Sequence, residues 1–148
     1  MIILKTFYLF KINKNYINVA KSTPNNIFIL LNSIYSHKKE ELDIAFNLFN
    51  EICLPLNTDF FNDYIFKKLK SSEEYTKFKN VHMYYNYFTD EVSKMVVGKS
   101  HIRIKSNVSE NIFIINLKDL GNLFMCDFKN SYYSYFLTLK SINKFLVK

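Results

Sequence analysis

Glycine and proline are scarce in this chain, which has two of each among its 148 residues. Two glycines cannot form the glycine-rich loops that hold a nucleotide phosphate, so nucleotide-binding motifs of that kind are excluded. Arginine is scarcer still, because Arg103 is the only one in the sequence. The bidentate contacts by which arginine recognises phosphate or guanine are therefore nearly absent.

Cysteine and histidine are also few, and they are widely spaced. Cys53 and Cys126 lie in apolar stretches, a context typical of small core residues rather than of a disulfide or a metal pair. The three histidines, His37, His82 and His101, have no metal-ligand spacing with cysteine, aspartate or glutamate. We therefore expect no metal and no cofactor.

Long apolar runs are missing as well, since none approaches the roughly 18 residues that span a membrane. The apolar segment 1–10 is interrupted by Lys5 and has no small-residue cleavage site, which favours a strand over an export signal. The isolated cysteines suit a reducing compartment. We expect a soluble, cytoplasmic protein without membrane contact.

The composition itself is that of a globular protein, with 49 % hydrophobic and 22 % charged residues. Hydrophobic periodicity predicts a single α+β domain over residues 1–148, with a mixed, mostly antiparallel sheet of about five to six strands and about four helices. The predicted strands are Lys5 to Ile12, Val81 to Phe88, Val92 to Val97, His101 to Lys105, Leu123 to Phe128 and Tyr132 to Leu137. The predicted helices are Ile27 to Tyr35, Lys38 to Cys53, one that begins at Asn57 or Thr58, and Ser109 to Leu120, which Ser109 and Glu110 open and Gly121 ends in a left-handed conformation. The residues predicted to face inward are Leu42, Ala45, Phe46, Phe49, Ile52 and Cys53 in the second helix, Phe61, Ile65, Phe66 and Leu69 in the third, and Ile112, Phe113, Ile115 and Leu120 in the last. Asn13 to Lys21 is predicted as a short helix or a loop.

Candidate catalytic groups are few. Asp127 ends a buried strand, where many enzymes keep a carboxylate, but the turn residues Lys129-Asn-Ser that follow favour a turn-capping role. His82 and His101 could face each other across neighbouring strands, although a histidine satisfied in the core or exposed to solvent is the more common case. We expect no enzymatic activity.

A nucleic-acid interface is the alternative function that the sequence allows. Aromatic and basic residues interleave on neighbouring predicted strands, as on a base-stacking platform: Tyr84, Tyr85, Tyr87, Phe88, Lys94, Lys99, Arg103 and Lys105. An ordinary sheet with lysines on its open side would look the same. The net charge of +7 is weak support, because lysine is enriched together with asparagine and isoleucine. We do not expect direct nucleic-acid binding.

Several segments, spread over nearly the whole chain, carry a resemblance to a known family. In the N-terminal half they are Tyr8-Leu-Phe-Lys, Ile27-Phe-Ile-Leu-Leu, and the helix that ends at Ile52 with Pro55 after it. In the C-terminal third they are Glu110-Asn-Ile-Phe, Phe124-Met-Cys-Asp-Phe, Tyr133-Ser-Tyr and Asn143-Lys-Phe. By these segments the chain resembles the SirA family, the sporulation inhibitors of replication.

The resemblance implies a regulator without a catalytic step or a cofactor. SirA-like proteins bind domain I of the replication initiator DnaA and so prevent new rounds of replication during sporulation. The family's interface corresponds here to Asn13 to Lys21 and Leu42 to Cys53, and the partner-binding residues it implies are Lys14, Asn18, Leu48, Glu51 and Ile52. We expect the protein alone to be a monomer.

This chain departs from the family within that interface. Lys14 stands in place of a large aromatic residue, Leu48 in place of a polar amide, and Asn18 to Lys21 in place of an aromatic–glycine–arginine run. The helical pattern puts Leu48 on the polar side, about 100° from the Phe49 stripe, so we expect an exposed leucine beside Ile52.

Overall fold

The order of strands and helices follows the alternation of apolar and polar residues along the chain. The structure, a computed structural model, describes residues 3–36 and 42–137, with the backbone alone for residues 42–45. The strands are β1 Lys5–Ile12, β2 Cys53–Leu54, β3 Tyr75–Phe78, β4 Val81–Asn86, β5 Glu91–Val97, β6 Ile102–Ser106, β7 Leu123–Asp127 and β8 Tyr132–Phe136. The helices are a 3₁₀ turn Lys14–Tyr16, then α1 Ile17–Ser22, α2 Pro24–Ser36, α3 Leu42–Ile52, α4 Thr58–Leu69 and α5 Ile112–Lys118. Three predicted features lie outside the described residues: His37, residues 38–41 of the third helix, and the Asn143 segment.

One sheet contains all eight described strands, in the order β3-β4-β5-β6-β1-β7-β8, with β2 paired to the end of β1. Every pairing is antiparallel. The predicted α+β class is confirmed, and the sheet exceeds the predicted number of strands by β2 and β3. The first strand lies in the middle of the sheet, between β6 and β7.

The first face of the sheet is covered by α4 and α5. Successive side chains of a strand point to opposite faces, and on β5 and β6 every second residue is buried here. The core on this face includes Phe7, Leu9, Phe61, Ile65, Met95, Ile102, Ile104, Phe113, Leu117 and Met125.

The second face is covered on one half only. Helices α1 to α3 pack over β1, β7 and β8, around Phe10, Ile12, Ala20, Ile27, Phe28, Leu31, Cys53, Phe124 and Cys126. No residue of β3 to β6 belongs to this cluster. The second face of β4, β5 and β6 is therefore left without a described helix over it, and we call this area the open face. Its members are Met83, Tyr85, Val92, Lys94, Val96, Arg103 and Lys105.

Strand β3 is not among the strands predicted from the sequence. Of its four residues only Tyr75 is buried, so it lacks the alternation that identifies a strand. The turn that joins it to β4 passes through Lys79 at φ 55, a left-handed conformation reached there without glycine. Pairing with β4, rather than local sequence, holds this edge strand in place.

The fifth helix begins later than predicted. Its N-cap is Asn111, whose side chain accepts a hydrogen bond from the Ile114 N–H, so the prediction that Ser109 and Glu110 open the helix is wrong. Its buried face also differs from the prediction: Phe113, Ile114 and Leu117 are buried, whereas Ile115, predicted to face inward, is exposed. Gly121 has the predicted left-handed conformation after the helix, at φ 69.

Helix α4 confirms one prediction and corrects another. Asn57 is its N-cap and accepts from the Phe60 N–H at 3.1 Å. Phe61, Ile65 and Leu69 are buried as the predicted stripe requires, but Phe66, predicted to join them, is exposed.

Candidate partner-binding surface

The segment after β1 folds as two short helical turns. The side chain of Asn13 accepts from the Asn15 N–H at 3.1 Å and so caps the 3₁₀ turn. In the α1 turn that follows, Ala20 is buried, which anchors the segment on the second-face core. Lys14 and Asn18 point into solvent from this segment.

Hydrogen bonds join this segment to the end of α3. The Asn13 backbone N–H donates to the Ile52 carbonyl at 2.7 Å, and the Asn13 side-chain amide donates to the Glu51 carbonyl at 3.1 Å. The Tyr16 hydroxyl donates to Glu51 Oε2 at 3.2 Å. The nearby Glu51 carboxylate raises the pKa of Tyr16, so the phenol stays protonated and remains a donor. The two segments named from the family resemblance thus lie side by side.

The exposed side of α3 carries Leu48, Glu51 and Ile52, which share one side because they are three and four residues apart. Leu48 is 41 % exposed, as the sequence predicted. Ile52 is partly buried against the second-face core. The adjacent Phe49 turns inward and meets the Phe10 ring edge-on at 5.9 Å. We call Lys14, Asn18, Leu48, Glu51 and Ile52 together the helical surface.

Some exposed apolar residues of this region were not predicted. Phe46 was assigned to the inward stripe of α3, but it is 44 % exposed, so that assignment is wrong. The same stripe included Leu42 and Ala45, whose side chains lie outside the described residues. Val19 on α1 is also exposed. Exposed apolar side chains ringed by polar ones are a mark of protein-binding surfaces.

Sequence reasoning also missed Asn13 and Tyr16, which position the two segments. An asparagine directly after a strand is a recognisable capping signal, so Asn13 had a local signature. The bond of Tyr16 to Glu51 had none, because it spans 35 residues.

The two described histidines do not face each other, contrary to the possibility raised from the sequence. His82 is fully buried on the first face: its Nε2 lies 2.7 Å from Asn62 Oδ1, and its Nδ1 lies 2.7 Å from the Tyr75 hydroxyl. Burial and, secondarily, the charge of Lys77 lower the pKa of His82 to about 4. His101 packs against rings on the second face, those of Tyr8 and Phe10. His82 is thus a core histidine with both nitrogens satisfied.

The remaining candidate groups have structural roles. Asp127 caps its turn by accepting from the Asn130 N–H at 3.3 Å and from the Asn130 side chain at 2.7 Å, as predicted. Cys53 and Cys126 are buried free thiols, also as predicted. In the described ranges, no three histidine, cysteine, aspartate or glutamate side chains come together in a way that could hold a metal ion. None of the described helices is long and apolar enough to cross a membrane.

The structure does not bring all the predicted nucleic-acid residues together. Tyr84 points to the first face and packs on its core, and Lys99 lines a cleft with Thr58 and Asn62 at α4. Tyr85, Lys94, Arg103 and Lys105 share the open face, while Tyr87 and Phe88 lie in the hairpin after β4.

Comparison with known proteins finds no family model and no curated protein that matches this chain.

Proposed function

We propose that this protein is a non-enzymatic, cytoplasmic regulator that binds domain I of the initiator DnaA and so restrains replication initiation during sporulation. The proposal follows the SirA resemblance, and one observation supports it most. The two segments that the resemblance names, Asn13–Lys21 and Leu42–Cys53, are separated by 20 residues in the sequence. They need no rearrangement to act together, because Asn13 and Tyr16 already bond to Glu51.

The chemistry of the helical surface suits a protein partner. Leu48 supplies an exposed apolar centre, and Ile52 beside it is partly desolvated. Lys14 and Glu51 supply charges of opposite sign, so the surface has no single-sign field to attract a polyanion. An apolar centre with a mixed polar rim is the usual anatomy of a protein–protein interface.

Because this chain lacks the family's aromatic and arginine anchors, we expect Leu48 to contribute most of the binding energy of this contact. Aromatic and arginine anchors usually dominate an interface, and Lys14 occupies the position of one such anchor. A leucine at position 48 adds apolar area where the family has an amide. The partner of this chain would then offer an apolar recess to α3.

The test compares two exposed residues on opposite sides of the protein. Leu48→Asp places a charge at the centre of the helical surface, and the matched control Ile115→Asp does the same on α5, where Ile115 is 48 % exposed. We expect Leu48→Asp to weaken binding to DnaA domain I by at least about tenfold, as for a central contact, and Ile115→Asp to leave it unchanged. If both variants bind like the wild type, the helical surface is not the interface. If the wild type does not bind, the proposed function itself is wrong.

A further inference from the structure

The open face places cations directly opposite one another in the sheet. Lys94 on β5 is paired with Met83 on β4 and with Lys105 on β6. Arg103, two residues before Lys105 and paired with Val96, lies diagonally from Lys94. Directly paired side chains of antiparallel strands have Cβ atoms about 4.5–5.5 Å apart, so the three positive charges form one cluster.

Nothing in the described part of the chain neutralises this cluster. The one ion pair there joins Lys118 to Glu110 on another part of the surface. Glu91, the acidic residue of β5, is buried toward the first face, where its carboxylate accepts from the Ser93 hydroxyl and from the Ile112 N–H. Like charges directly opposite each other destabilise a sheet. An anionic ligand would remove that cost.

Exposed rings lie next to the cations. Tyr85 on the open face is 48 % exposed, and the Tyr87 ring stands edge-on to it at a centroid distance of 4.7 Å. Phe88, at the tip of the hairpin, is 96 % exposed. Glu73 and Glu74 line the groove beside Tyr85 on its β3 side, so a polyanion would be confined to β4, β5 and β6.

We propose that the open face binds single-stranded nucleic acid, with phosphates at Lys94, Arg103 and Lys105 and bases stacked on Tyr85 and Tyr87. Stacking accepts any base, which suits a surface with a single arginine and little capacity to read base edges. A duplex hides its base faces, and a flat sheet face offers no helix or ribbon to enter a groove. A single strand therefore matches both the charges and the rings.

The experiment measures fluorescence anisotropy of a labelled oligothymidylate as the full chain is added, over a series of salt concentrations. We expect binding at low salt, with a slope of log affinity against log salt of about −2, because each single-strand phosphate contact contributes about −0.7. The same oligonucleotide annealed to oligoadenylate should bind more weakly. No binding at low salt, or equal binding of the duplex, would overturn the proposal.

Two pairs of variants locate the site. Lys94→Gln with Lys105→Gln should reduce the steepness of the slope by about 1.4, whereas Lys67→Gln with Lys70→Gln, the same change of charge on exposed residues of the α4 end, should leave it unchanged. Tyr85→Leu should weaken binding about tenfold, and Phe60→Leu, a similarly exposed ring on α4, should not. Equal losses in a variant and its control would overturn the assignment to the open face. Circular dichroism of each variant confirms that it is folded.

Discussion

The Tyr16 hydroxyl lies 3.2 Å from Glu51 Oε2 and joins the segment after the first strand to the end of the third helix. Together with the two bonds of Asn13 to the Glu51 and Ile52 carbonyls, it fixes how Lys14 and Asn18 stand relative to Leu48. The helical surface is thus held by side chains at its border, while the residues at its centre remain exposed.

The first prediction concerns that border. Tyr16→Phe removes the hydroxyl and frees the Glu51 side chain, but keeps the ring that packs on the second-face core. We expect the melting temperature to change little, because the bond is exposed. If the proposed interface is correct, the affinity for DnaA domain I should fall several-fold, because Glu51 loses its fixed position. Calorimetric titration of the variant measures this. Ser33→Ala, which removes an exposed hydroxyl bonded within α2, is the control and should bind like the wild type.

The paired lysines of the open face give a prediction about stability. Lys94→Gln should increase the free energy of unfolding by a few tenths of a kcal/mol, because it removes a like charge directly opposite Lys105. This increase in the free energy of unfolding should be smaller in high salt, which screens the repulsion between Lys94 and Lys105. Lys67 lies in the last turn of α4, where a positive charge interacts favourably with the helix dipole. Lys67→Gln should therefore not increase the free energy of unfolding. Urea unfolding at two salt concentrations compares the two variants with the wild type. An equal effect of Lys94→Gln and Lys67→Gln would argue against repulsion at the open face.

His82 makes stability depend on pH in a defined direction. Its pKa falls from 6.5 to about 4 in the fold, so between these values the unfolded chain binds the proton that the native protein excludes. The contribution of neutral His82 is complete above pH 6.5 and is lost as the pH falls toward 4. We expect a decrease of up to about 3 kcal/mol in the free energy of unfolding from this group.

The control for this prediction is His82→Gln, which removes the titrating group. It should make the free energy of unfolding less dependent on pH. Burial and the charge of Arg103 also lower the pKa of His101. His101→Gln should flatten the pH dependence of stability less, because His101 is only partly buried whereas His82 is fully buried. Denaturant unfolding across this pH range provides the comparison. A His82→Gln profile as steep as that of the wild type would show that other groups govern the acid sensitivity.

The two thiols should be unreactive in the native protein. Burial raises the pKa of Cys53 to about 12. Burial, and to a lesser extent the neighbouring Cys53, also raises the pKa of Cys126. Since the thiolate is the nucleophile, a thiol-specific dye should label neither residue until the protein unfolds, and both in denaturant. Rapid labelling of native protein would show that the second-face core opens readily.

Local pattern predicted the parts of the fold that have strong local signals. Strand β1 has the predicted bounds, and Asn57 caps α4 as expected, because alternation and capping are properties of a few neighbouring residues. Strand β3 escaped prediction since it is held by β4 and has one buried side chain. The choice between Ile114 and Ile115 was wrong because both are apolar neighbours, and only the packing of α5 on the sheet decides which one is buried.

In the candidate site, too, features with a local signal were predictable and features set by distant contacts were not. Exposure of Leu48 followed from the helical period, but the position of Phe46 depended on how α3 meets the rest of the protein. The sequence placed Tyr85, Lys94, Arg103 and Lys105 on neighbouring strands, but it could not separate them from Tyr84 and Lys99. Only the strand register puts Lys94 directly opposite Lys105, and only the packing shows that no described helix covers this half of the second face. Tyr84 and Tyr85 are neighbours in sequence, yet they belong to opposite faces.

The most direct test of the proposed function is a calorimetric titration of the purified protein against domain I of DnaA from the same organism, at low and at moderate salt. We predict saturable binding of one protein to one domain that persists at moderate salt, because the proposed contact is centred on the apolar residues Leu48 and Ile52 rather than on charge. Absence of binding at both salt concentrations would contradict the proposal.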